Sequence, residues 1–245
     1  MQRGTLMAAA TSVPKPAAKA PKRDATATRA RLLKVAVAEF ATKGYSGARM
    51  DAVASRAKVN IRMVYHYFGG KEALYIEVLE HTLAKLRTDE LKLDFSAVMP
   101  IDGIMQLFDF IDGHFAAHPE LMKLLSSENL NKARFMQKSI LIPAMATPVL
   151  KLLQNLLQRG VADGAIARGI APLHLYVTLV SLAYFHKSNA HTLSRIFETD
   201  LLALAWQADH KAQTRRMLLQ FLTPPPAHAR PTPRAKQTLA AGVPA

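Results

Sequence analysis

Between residues 49 and 71 the chain gathers side chains that can read and grip a polyanion: Arg49, Arg62, Tyr65, His66, Tyr67 and Lys71. An arginine guanidinium can bond two acceptors on a guanine edge, and Ile61 or Met63 can pack on a thymine methyl. The hydroxyls of Tyr65 and Tyr67 and the point charge of Lys71 suit phosphate oxygens, which position a protein without identifying a base. These abilities converge only if the residues project from one rigid element. Asn60 is a strong helix N-cap, and Val64 and Phe68 stand four apart, so a short helix is predicted from Asn60 to Tyr67 and is broken by Gly69-Gly70. Another is predicted from Met50 to Ala57, with Met50, Val53, Ala54 and Ala57 on one face. Two short helices joined by a tight turn form a helix-turn-helix, here over about 49–68. The first braces the second, which enters the major groove with its N-terminal residues at base edges and with Val59 and Val64 facing inward. The candidate DNA-binding residues are Arg49, Met50, Asn60, Ile61, Arg62, Met63, Tyr65, His66, Tyr67 and Lys71. Free N–H groups just after Gly70 add a second place to hold a phosphate.

The rest of the 245-residue chain must support these residues, and it reads as helix after helix. Leu33, Ala36, Val37 and Phe40 recur at helical spacing before Gly44, which closes that helix. A longer helix is expected to begin near Lys71, and further ones at about 101–117, 119–127, 130–158, 172–187, 191–208 and 210–221, with Pro143 and Pro148 kinking or splitting the 130–158 stretch. Alternating strand patterns are scarce, so the expected fold is all-α. The formal charge is +14, with 32 basic and 18 acidic residues, which favours a polyanionic partner. Its distribution is uneven. Residues 1–23 carry +5 and residues 222–245 carry +3, and both segments lack acids; residues 24–86 carry +4 and 87–221 only +2. The expected organisation is a disordered basic arm (1–23), a DNA-binding domain (24–86), a helical ligand-binding and dimerisation domain (87–221) and a disordered Pro-rich tail (222–245). With no cysteine, disulfide scaffolds, thiolate metal sites and cysteine nucleophiles are excluded. No apolar run is long enough to span a bilayer, and Met1–Ala10 is too weakly apolar for a secretory signal, so a cytoplasmic protein with no membrane partner is expected, nucleoid-associated when on DNA.

Thr28-Arg29, Leu32-Leu33, Ala36, Phe40, Gly44-Tyr45, Val53-Ala54, Ala57, Val59, the run Tyr65-His66-Tyr67-Phe68 and then Lys71-Glu72-Ala73-Leu74 resemble the N-terminal domain of TetR-family repressors. The likeness covers about residues 26–86. It implies a homodimer on a palindromic double-stranded operator, with a variable C-terminal helical domain that holds a small ligand and the dimer interface. Three positions depart from the family pattern. Ala48-Arg49 stands where a hydroxyl pair usually opens the helix, Lys58 replaces the common turn glycine, and Arg62 occupies a position that is often glycine. A fainter similarity, through His118-Pro119-Glu120-Leu121, Ser127-Glu128-Asn129 and Ser188-Asn189-Ala190-His191-Thr192, is to a subgroup that includes a nicotinate-catabolism repressor.

In the C-terminal half, His114 and His118 are four apart and can share a metal or line a pocket; with no third ligand in a supporting motif, pocket or surface histidines are the simpler reading. Glu128, Asn129, Asn131 and Arg134 lie amid apolar residues and can line an effector pocket or form a solvated turn, and Phe185 and Asn189 share that ambiguity. The candidate ligand-binding residues are therefore His114, His118, Glu128, Asn129, Asn131, Arg134, Phe185 and Asn189, with an aromatic carboxylate among the effectors to consider. No Gly-rich phosphate loop, zinc-protease helix or Gly-x-Ser-x-Gly elbow is present, so neither an enzyme nor a cofactor is expected. The expected function is a ligand-responsive repressor. An architectural or nonspecific DNA-binding protein is the alternative.

Overall fold

A computed structural model describes residues 22–225, and the outer parts of the expected arm and tail lie outside them. The described residues form ten α-helices and no strand: α1 (Lys22–Gly47), α2 (Met50–Arg56), α3 (Ile61–Phe68), α4 (Lys71–Glu90), α5 (Pro100–Ala117), α6 (Pro119–Leu130), α7 (Leu141–Ala162), α8 (Pro172–Ser188), α9 (Ala190–Ile196) and α10 (Leu204–Leu222). Gly44 breaks α1 with φ 64° and ψ 179°, so the helix expected to close there does stop at a left-handed glycine, and a short helical segment continues beyond the kink to Gly47. Prolines open α5, α6 and α8, where a missing N–H costs nothing.

Two cores organise these helices. The head core joins Leu32, Ala36 and Phe40 of α1 to Val53 of α2, Val64 and Phe68 of α3, and Leu74, Tyr75 and Val78 of α4. The body core surrounds α5, whose Ile104, Leu107, Phe108 and Ile111 meet Leu153 and Leu156 of α7 and Leu175 and Leu179 of α8. The approach of α7 to the following turn is tight: a Cβ on Gly160 would lie 2.4 Å from Ile166 Cδ1. α4 belongs to both cores, since its later residues Leu83 and Leu86 pack into the body.

The expected helix over 130–158 does not form as one piece. Residues 131–140 are a compact connection containing a 3-10 turn at Met136–Lys138, and Lys132 and Ala133 both take left-handed backbone angles, φ 56° and 55°. The Glu128 carboxylate holds the turn by accepting the N–H groups of Phe135 and Met136, each at 3.1 Å. The split thus precedes Pro143, while Pro148 is accommodated inside α7. The stretch 191–208 also divides, because Ser194 Oγ and Asp200 Oδ1 accept the N–H groups of Leu201 and Leu202, each at 2.9 Å, in place of helical partners.

Candidate nucleic-acid interface and ligand cavities

α2 and α3 meet through a turn at Ala57–Asn60, in which Lys58 adopts φ 55°. A lysine at the turn-glycine position therefore does carry left-handed strain. Asn60 caps α3 through Oδ1, which accepts the Arg62 N–H at 2.9 Å. α2 starts at Arg49 without a side-chain cap, as Ala48-Arg49 implies. Arg31 Nε donates to the Ala57 carbonyl at 3.0 Å, tying the end of α2 to α1. Val64 and Phe68 are buried, which leaves Ile61, Arg62, Met63, Tyr65 and His66 on the open face of α3. Arg62 makes no side-chain bond to another described residue, so its guanidinium is free for a base edge.

The remaining candidates sort by position. Arg49 is exposed, with Nε on Asp51 at 3.3 Å. Tyr67 is half-buried against the head core. Lys71 opens α4 after an uncapped Gly70; its ammonium reaches the Ser46 carbonyl at 3.3 Å and lies 5.0 Å from the Tyr45 ring centre, keeping further donors for a phosphate. Met50 does not belong on this face. It is 8% exposed and packs with Val53 and Ala54, because the apolar stripe of α2 begins at its first residue.

The eight ligand candidates do not converge. His114 and His118, with ring centres 4.4 Å apart, line a cleft of about 280 Å³ where α1 and α4 meet the α5–α6 junction. Glu128 is buried and fixes the 131–140 turn; it is a structural carboxylate, not a cavity wall. Asn129, Asn131 and Arg134 are exposed around that turn, with Asn131 donating to the Ser127 carbonyl at 2.7 Å. Phe185 is exposed on α8, and Asn189 ends that helix.

A second cavity, about 350 Å³, lies inside the body and is mostly apolar, with walls from Leu83, Phe115, Leu125, Met136, Ile142 and Val180. Its polar end is Arg87 and Tyr176. Arg87 Nη1 bonds Glu90 at 2.6 Å and also the Tyr176 hydroxyl, which donates to the other Glu90 oxygen at 3.0 Å. Burial raises the Glu90 carboxyl above its ordinary value despite Arg87 beside it, and burial raises the Tyr176 hydroxyl too. Arg87 and Glu90 are an i,i+3 pair legible in sequence, but Tyr176 lies 89 residues from Arg87 and no local pattern joins them.

Residues 32–78 match the family described as bacterial regulatory proteins, tetR family, and residues 100–218 match a tetracyclin repressor-like C-terminal domain. The chain is 36% identical over 182 residues to the HTH-type transcriptional repressor NicS of Pseudomonas putida, covering 74% of this chain and 86% of that protein. It is 39% identical over 110 residues to the HTH-type transcriptional repressor SCO4008 of Streptomyces coelicolor, covering 44% of this chain and 53% of that one. Among solved structures, the transcriptional regulator SCO4942 of Streptomyces coelicolor superposes with a TM-score of 0.62 at 24% identity, over 81% of this chain and 99% of its own. The hemolysin II regulator HlyIIR does so with 0.55 at 22% identity, over 82% and 99%. These two likenesses bear on the fold.

Proposed function

Because the chain belongs to the TetR family of bacterial regulatory proteins, we propose that it is a ligand-responsive transcriptional repressor released from a palindromic operator by a small molecule. One observation carries the reading: α3 presents Ile61, Arg62, Met63, Tyr65 and His66 on an open face while α2 braces its buried one. Residues 24–86 form the DNA-binding unit and 87–221 the ligand-binding and dimerisation unit. Leu173, Val177 and Phe185 form an exposed stripe on α8, and Met217 and Phe221 continue the pattern on α10. A second copy covering these stripes makes a self-complementary interface and places two α3 helices for successive major grooves, about 34–36 Å apart.

The effector site on this reading is the body cavity. Met136, Leu83 and Leu86 line it, so an occupant pushes directly on α4 and on the 131–140 connection. Only a ligand that prefers one head spacing over another shifts the equilibrium. The cavity suits the ring of an aromatic carboxylate better than its charge, since Arg87 is already matched by Glu90. Footprinting on the DNA upstream of the chain's own gene tests the function. A protected pseudo-palindrome supports a sequence-specific repressor, and uniform coating of any duplex supports the architectural alternative.

A further inference from the structure

The cleft at the head–body junction has a different chemistry from the body cavity. Lys34 reaches it from α1, His81 and Lys85 from α4, and His114 from the end of α5. Lys34, His81 and Lys85 make no side-chain hydrogen bond or ion pair among the described residues. Of the acids, Glu120 is itself part of the cleft wall, where it bonds His118 Nδ1 at 3.0 Å, and Asp89 pairs with Lys92 at 2.6 Å. His114 is 7% exposed, packs against the His118 ring with centres 4.4 Å apart and lines the cleft, and its ring makes no hydrogen bond among the described residues, which leaves its N–H open toward the cleft. Val37 and Leu121 supply apolar wall, and Thr82 spends its hydroxyl on the Val78 and Leu79 carbonyls.

We propose that this cleft is a second ligand site, which takes a small carboxylate with a flat apolar body. The carboxylate lies between Lys34 and Lys85 with the His114 ring as donor, and the apolar part rests on Val37 and Leu121. An inorganic oxyanion would satisfy the cations and leave the apolar wall wet, whereas a neutral ring would leave the cations unmatched. Burial and the neighbouring His118 hold His114 down to about 4, so at neutral pH it offers a neutral imidazole whose single N–H can serve the ligand. Lys34 belongs to the head and His114 to the body, so an occupant clamps the two together. Its regulatory consequence rests on the repressor reading above; its binding does not.

Calorimetric titration of the full chain with sodium benzoate, benzamide and inorganic phosphate at constant ionic strength tests the site. The expected result is one benzoate per chain, with binding at least about tenfold weaker for Lys34→Met and Lys85→Met and for benzamide or phosphate against the native chain. Both lysines are exposed, and melting curves confirm that the variants fold. Absence of benzoate binding, equal binding of benzamide or phosphate, or unchanged benzoate affinity in both lysine variants overturns the proposal. So does a loss confined to Tyr176→Phe, which would put the anion in the body cavity. A chain that binds benzoate as expected yet protects no palindrome keeps this site and refutes the repressor reading.

Discussion

Truncating Phe135 to alanine separates stability from signalling in a single substitution. The ring comes from the 131–140 connection, yet it is 2% exposed inside the head core, 4.1 Å from the Tyr45 ring centre and 5.1 Å from that of Tyr75. Its neighbour Met136 packs against both cores and lines the body cavity. Removing a buried phenylalanine costs about 3–5 kcal/mol, and each aromatic pair contributes about 0.5–1.5 kcal/mol of that kind of packing. Phe135 is anchored only by a turn, which can settle into part of the void, so the lower end, about 3 kcal/mol, is expected. Urea unfolding at a fixed chain concentration reads the loss directly. Phe135→Leu keeps more of the volume and should recover more than half of it. In operator titrations the alanine variant should retain base preference but lose most of its response to effector, because the wedge between cavity and head is gone. A cost below about 1 kcal/mol would refute the placement of Phe135 in the head core. A full cost with an intact effector response would refute transmission through residues 131–140.

Arg62→Ala should weaken operator binding by about 1–3 kcal/mol and relax preference at one base pair per half-site; a selection of binding sites with an unchanged profile would contradict that role. Val177→Glu places a charge in the α8 stripe and should yield a monomer in sedimentation while leaving the helical spectrum intact, and a variant that stays dimeric would move the interface elsewhere. Acid should destabilise the fold through His114 and His186, both held at about 4 from 6.5 by burial first, then by His118 and Lys85 around the former and by Lys187 and His210 around the latter, against the opposing pull of Asp89, Glu120 and Asp112. The unfolded chain takes up protons that the folded chain refuses, so their contribution is complete above about pH 6.5 and fades as pH falls toward 4. Melting temperature measured across that interval should fall less steeply in the His114→Gln, His186→Gln double variant.

The head was readable because its determinants are local. Asn60 caps its own helix, Gly44 bends its own chain, and Lys58 sits in a turn only four residues long. Met50 was misplaced for an equally local reason: the first residue of α2 is also the start of its apolar stripe, and spacing alone cannot say which of those positions dominates. In the body the information is distant. Glu128 shapes a turn seven and eight residues ahead, and two non-glycine residues accept left-handed angles, so periodicity carries an α-helix through a segment that forms only a 3-10 turn. Arg87 meets Tyr176 across 89 residues. The cleft gathers Lys34, His81 and His114 from three separate helices, and only the histidine spacing hinted at it.

On the proposed dimer, the stripe along α8 and α10 would also set how the protein responds to its own abundance. In the proposed complex a single head would grip one half-site, and the full operator would require two chains to meet first. Where free chains outnumber pairs, operator occupancy therefore rises with the square of chain number instead of in proportion to it. On that reading Leu173, Val177 and Phe185 would give the regulated gene a threshold: a modest fall in copy number, such as unequal partition at cell division, would lift repression more sharply than a monomeric regulator would allow.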